Sequence, residues 1–267
     1  MRKKSGGIEY KLYDGVLNDL PKLSKTVINM INQYSLCLAE EDGNFKRALQ
    51  ESEVLLPDGE GIVFAERILT GKKIKKISGS ELHQHFLSVL NKRKGRCFYL
   101  GSSPETLNKI KEKLAREFPD LKAGFYSPPF KVNFSPEDNL NMLEKINQFN
   151  PDVLFIGLTA PKQEKWSFQH KNSINAKVIC SIGAVFNFYA GTVNRPGKLW
   201  IDMHLEWLGR FIHEPKRMWK RYFYFGPIYI YVILKRRFFP GAFYPSYKNN
   251  PLPNVDNRRV YHEHEVH

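Results

Sequence analysis

Short apolar runs alternate along this chain with longer segments in which apolar positions recur at helical spacing. Thr26 to Asn32 is β-branched and apolar, which predicts a strand, and Gln33 to Glu41 continues as a helix. Asn44 to Glu51 predicts a second helix, leading into the strand Val54-Leu55-Leu56. From Gly61 to Leu69, the side chains of Ile62, Ala65, Ile68 and Leu69 share one helical face. Ser80 is the expected cap of a helix reaching Asn91. A regular alternation follows. The strand Cys97–Leu100 runs into a helix from Pro104 to Phe118, with Ser103 placed to cap it. Lys122–Tyr126 is a more polar strand, and Ser135-Pro136-Glu137 opens a helix that Asn150-Pro151 stops. Val153–Gly157 and Lys177–Ser181 are apolar strands. Strands this continuously apolar, separated by helices, predict an α/β fold whose parallel sheet is covered on both faces.

Ligands of such sheets bind beyond the strands' carboxyl ends, so the turns there carry the candidate chemistry. Leu55-Leu56-Pro57-Asp58-Gly59-Glu60-Gly61 takes a strand through a glycine turn into a helix, with Asp58 at the bend. A carboxylate there serves either as a helix cap or as a general base, and these residues alone leave both open. Gly101-Ser102-Ser103-Pro104 makes a second turn, whose amides and helix dipole suit a phosphate. It is not GxGxxG, which gives a nicotinamide dehydrogenase little support. In a third turn, Thr159 and Gln163 are placed to hydrogen-bond a sugar or base, and Trp166 either packs on that ligand or belongs to the core. A fourth runs through Gly183 toward the cations Arg195 and Lys198. Small-residue turns converging near an isolated Asp describe a nucleotide-sugar cleft.

Charge adds an anionic partner to this picture. Forty-one Lys and Arg against 27 Asp and Glu leave +14, which attracts nucleic acid, acidic membrane or phosphorylated substrate alike. Much of it lies beyond Gly197, where Trp, Phe, Tyr, Arg and Lys crowd together. We place a first domain at 1–197, a helical appendage at 198–240 and a tail at 241–267. The apolar run from Phe223 to Leu234 is flanked by Lys220-Arg221 and Lys235-Arg236-Arg237, the composition of an interfacial segment, with Gly226-Pro227 expected to break its helix. No apolar run reaches the roughly 18 residues of a transmembrane helix. The basic N-terminus lacks the apolar core of a signal peptide. Cys37, Cys97 and Cys180 are far apart, and no Cys or His spacing demands a metal.

Taken together, four ordered motifs resemble the WecG/TagA/CpsF family of bacterial glycosyltransferases. They are Leu55–Val63; Phe98–Gly101; Pro151–Gly157 with Pro161-Lys162-Gln163-Glu164; and Gly183–Gly191 with Arg195-Pro196 and Leu205–Arg210. The resemblance implies a Rossmann-like enzyme that inverts a UDP-sugar's anomeric centre without metal or other cofactor. Its acceptor would be a sugar on a polyprenyl diphosphate, and its product would enter teichoic acid or exopolysaccharide synthesis. The enzyme would be cytoplasmic and peripheral on the inner membrane face. Its C-terminal appendage would complete the site and touch the membrane; a homo-oligomer is compatible, and nucleic acid is not a partner. The implied base is Asp58, and the pocket glutamine is Gln163. Asn32, Lys76, Gly101, Thr159, Gly183, Arg195, Arg217 and Arg221 complete the expected substrate contacts. Met30 stands where the family usually has Thr, and Lys76 where it commonly has Arg. The competing class is a non-catalytic basic α/β module for anionic lipid or nucleic acid.

Overall fold

The six expected strands all form, and every adjacent pair is parallel. The computed structural model describes residues 10–20, 25–193, 208, 211–212 and 215–239. In chain order they form β1 (Thr26–Ile31), α1 (Gln33–Glu41), α2 (Gly43–Gln50), β2 (Val54–Pro57), α3 (Glu60–Thr70) and α4 (Gly79–Lys92). Next come β3 (Arg96–Gly101), α5 (Pro104–Glu117), β4 (Lys122–Tyr126), α6 (Pro136–Phe149), β5 (Val153–Gly157) and α7 (Lys162–His170). The strand β6 (Val178–Ser181) precedes α8 (Ala184–Ala190), and α9 (Pro215–Trp219) and α10 (Phe225–Phe238) close the described chain.

The sheet order is β2-β1-β6-β5-β3-β4. One face buries Ile28, Leu56, Tyr99, Phe155 and Cys180 against Leu82, Leu87, Ile110 and Phe186 of α4, α5 and α8. The other face is covered in two parts. Phe98, Leu154 and Ile179 meet α6 and α7, while Ile31 and Leu55 meet α1, α2, α3 and α10. Helices following the neighbours β1 and β6 therefore leave to opposite faces, which opens a crevice at the strands' carboxyl ends.

Three local expectations change. The cap of α4 is Ser78 rather than Ser80, because Ser78 and Glu81 satisfy each other's backbone donors in a capping box. On α3 the buried face holds Ile62, Ala65 and Glu66, and Ile68 is 36% exposed. Gly226-Pro227 does not break its helix. Both lie in the first turn of α10, directly after a π-helical turn at Lys220–Tyr224. Proline has no N–H for the carbonyl four residues back, and the widened turn accommodates that loss. The boundary at Gly197 and the tail from 241 lie outside the described residues.

α10 is not held at a distance from the sheet. Val232 and Ile233 are buried in the same cluster as Ile31, Leu36 and Ile62, so the helix shares a core with the α/β layers.

His83 is enclosed on the α4 side, 2% exposed, with Nε2 2.6 Å from the Tyr99 hydroxyl. Burial, aided by Lys113, lowers its pKa to about 3. The folded protein thus keeps this ring neutral while the unfolded chain takes up a proton below about pH 6.5. Stability from His83 is full above that pH and falls as acid is added, by about 1.4 kcal/mol per pH unit. Comparing denaturation of wild type and His83→Gln at pH 7 and pH 5 isolates this one group. The variant should lose about 2 kcal/mol less over that interval; parallel curves would refute the assignment.

Candidate active site

The carboxyl ends of β1 and β2 are stitched together before any side chain is considered. The Asp58 N–H donates to the Ile31 carbonyl at 2.8 Å, and the Ile77 N–H donates to the Pro57 carbonyl at 3.0 Å. Between these ties Asp58 sits half-buried at the bend. Gly59 caps α3 from the position before it with φ +115°, which a side chain would resist. A Cβ on Gly61 would stand 2.2 Å from Gln33 Nε2, so the Gln33 carboxamide lies directly across the turn. From the other side the Tyr229 hydroxyl of α10 donates to the Gly61 carbonyl at 2.7 Å.

Other expected residues gather here. Lys76 Nζ lies 3.0 Å from Glu60 Oε1, in the first turn after Asp58. Asn32 caps α1: its Oδ1 accepts the Ser35 N–H at 2.9 Å, and its own N–H donates to Ser35 Oγ at 2.7 Å. The Arg221 guanidinium lies 4.6 Å from the centre of the Tyr34 ring, and Tyr34 meets Phe225 edge-on. A cation more than 180 positions downstream of Asn32 thereby reaches the first turn of α1.

Gly101, Thr159, Gln163 and Gly183 form the second group, at the ends of β3, β5 and β6. Gly101 pairs with Gly157 and has φ +112°; a Cβ there would stand 2.5 Å from the Gly157 carbonyl oxygen. Ser102 and Thr159 also take positive φ, 66° and 68°. This conformation is strained for a β-branched threonine, and such strain gathers at functional turns. Gln163 Oε1 accepts the Gly183 N–H at 3.1 Å, and Gln163 Nε2 donates to Glu164 Oε1 at 2.9 Å.

The groups meet across neighbouring strands, since β1 pairs with β6. Met30 Sδ and Val185 Cγ2 close over Gly79, 3.1 and 2.8 Å from where its Cβ would stand. Met30 is therefore packed between the end of β1 and the starts of α4 and α8.

Trp166 belongs to the core. It is 3% exposed and its indole N–H donates to Asn139 Oδ1 at 2.9 Å, which decides between the two alternatives in favour of the core. Lys162, its pKa lowered to about 8 chiefly by burial, lies over the Phe134 ring rather than among the turns above. Arg195 and Lys198 lie outside the described residues, as does the side chain of Arg217 in α9. Sequence reading missed Gln33, Tyr34 and Tyr229, and gave Glu164 no role beyond its place in the Pro161–Glu164 motif. The paired glycines at 59 and 61 were the one available signal, since such spacing leaves room for a crossing side chain. Among the described residues, no cluster of three or more His, Cys, Asp or Glu could hold a metal ion.

The chain matches the sequence profile described as "Glycosyl transferase WecG/TagA/CpsF family" over residues 11–242. It is 30% identical over 220 residues to the N-acetylglucosaminyldiphosphoundecaprenol N-acetyl-beta-D-mannosaminyltransferase of Bacillus subtilis, covering 82% of this chain and 83% of that protein. Proteins of the same description from Bacillus spizizenii and Staphylococcus aureus are 26% and 24% identical, over 74% and 71% of this chain and 74% and 72% of their own lengths.

Proposed function

We propose, on the premise that this chain belongs to the WecG/TagA/CpsF family of glycosyl transferases, that it transfers N-acetylmannosamine from a UDP donor to a polyprenyl-diphosphate-linked N-acetylglucosamine. The transferred sugar and the acceptor are those for which the relatives are named. The observation that carries the chemistry is Asp58, held at a strand end by the Ile31 tie and two glycines.

In this reading the carboxylate of Asp58 takes the proton of the acceptor hydroxyl. That oxygen forms the new bond to the anomeric carbon as the bond to the diphosphate breaks on the opposite face, which inverts the centre. The departing charge is met by amides of the Gly101 and Gly183 turns and by Lys76, Arg195, Arg217 and Arg221, without a metal. Asn32 and Thr159 line the donor and acceptor paths, and Gln163 acts from beneath them by holding the Gly183 turn.

Membrane contact at the cytoplasmic face fits α10 and the turn before it. Phe223, Ile230, Tyr231 and Phe238 are more than half exposed there, beside Lys220, Lys235 and Arg237. No helix among the described residues is long and apolar enough to cross a membrane. The product would enter cell-surface polysaccharide synthesis.

The test is thermal shift in EDTA against UDP, GDP, TDP and CMP and their common sugars. A ligand at a hundred times its Kd should stabilise the fold by about 2.7 kcal/mol. A selective shift with UDP-N-acetylmannosamine, followed by transfer to the lipid-linked acceptor, is the expected result. Binding to anionic liposomes with no nucleotide shift would overturn it in favour of a lipid-binding module.

A further inference from the structure

We propose that Glu164 is a positioning residue of this site: it holds the Gln163 carboxamide in the orientation that ties the β5 turn to the β6 turn. The inference rests on the nucleotide-sugar reading for its consequence, which is presentation of the Gly183 turn to the donor.

The Gly183 backbone N–H can only donate, so Gln163 must meet it with Oε1. That choice sends Nε2 the other way, where a buried amide needs an acceptor. Glu164 Oε1 is that acceptor, at 2.9 Å. Gln163 is 6% exposed and Glu164 2%, so water cannot readily stand in for either. An apolar residue would fill the same volume without the cost of burying a carboxyl, which leaves orientation of Gln163 as what the acid supplies.

The surroundings make this carboxyl sensitive to pH. Burial, opposed by the Gln163 hydrogen bond, raises its pKa to about 7. Oε2 has no hydrogen-bond partner among the described residues. The charged side chains of α7 and of the segments packed around it are engaged elsewhere: Lys165 with Asp42, Arg47 with Glu51, and Lys171 with Glu53. On α7 itself, His170 packs on Trp166. The buried polar residues of β1 and β6, which lie beneath α7, are the uncharged Thr26, Asn29 and Ser181. Oε1 accepts in both protonation states, but its strength as an acceptor rises when the proton leaves Oε2.

Two variants and one spectroscopic readout test the role. Glu164→Gln keeps an acceptor oxygen and loses the titration; Glu164→Leu loses both. In wild type the Gly183 amide resonance should titrate with a midpoint near pH 7, and in Glu164→Gln it should not. Glu164→Leu should raise the KM for the UDP-sugar about tenfold, at a temperature where melting shows it folded, with Glu164→Gln within about threefold of wild type. A Gly183 resonance that ignores both pH and substitution would overturn the proposal, as would unchanged donor KM in Glu164→Leu. If wild type binds no nucleotide sugar, the functional reading fails instead, and the Gly183 titration still decides the positioning role.

Discussion

Asp58→Asn should lower turnover by about a thousandfold, within the range general-base catalysis contributes. The substitution conserves size and leaves the backbone tie from residue 58 to Ile31 in place. Gly59 and Gly61, with Gln33 across them, still set the bend. The melting temperature should therefore stay near that of wild type. The amide can accept a hydrogen bond but cannot take the proton, so the loss should fall on kcat with donor KM little changed. Measured transfer within about threefold of wild type would remove Asp58 from the base role; the helix-cap alternative does not replace it, since Gly59 caps α3 without a side-chain hydrogen bond.

Arg236→Ala should cost about 3 kcal/mol of stability, a fall of roughly 6 to 12 °C in Tm. Arg236 Nη2 lies 2.8 Å from Glu40 Oε1, and both side chains are only 10% exposed. Truncating one partner strands the other charge out of water, which is far more costly than losing an exposed pair. Glu40→Leu combined with Arg236→Leu should recover most of the loss, because well-packed apolar side chains replace buried ion pairs at little or no cost. The functional consequence goes further than the fold. Tyr229 and Arg221, which reach the Asp58 turn and the start of α1, are carried by α10 and the turn before it. Loosening α10 should thus reduce transfer even below the melting transition. Chemical denaturation of the single and double variants checks the first part, and a transfer assay on Arg236→Ala checks the second. A single variant within about 0.5 kcal/mol of wild type would sink the argument.

The packing of α10 also changes how removal of the C-terminal region would be interpreted. Cutting away Val232 and Ile233 bares the Ile31, Leu36 and Ile62 cluster. Lost binding in such a truncation would report damage to the α/β layers as well as loss of the appendage.

What the sequence by itself determined is everything governed by nearest neighbours along the chain. Strands such as Val153–Gly157 are buried on both faces and so continuously apolar, and this one is too short, between Pro151 and Gly157, to be a buried helix. Ser103 before Pro104 and Ser135 before Pro136 mark helix starts through local capping chemistry. The placement of Asn32, Asp58, Gly101, Thr159 and Gly183 at one sheet edge follows too, because every parallel strand delivers its following turn to the same side.

What only the tertiary structure decided are contacts between segments far apart in the chain. Strand order put β6 beside β1, and so set the Gly183 turn next to Asn32. Trp166 went inward because α7 lies on the sheet beside Asn139 of α6. Lys76 found Glu60, Gln33 crossed two glycines, and Arg221 reached Tyr34. Glu164 became a buried acceptor only once Gly183 had set the orientation of Gln163. Periodicity tells which face of an element is apolar, but not which other element covers it. That choice is made by close packing and by the need of each buried polar group for a partner.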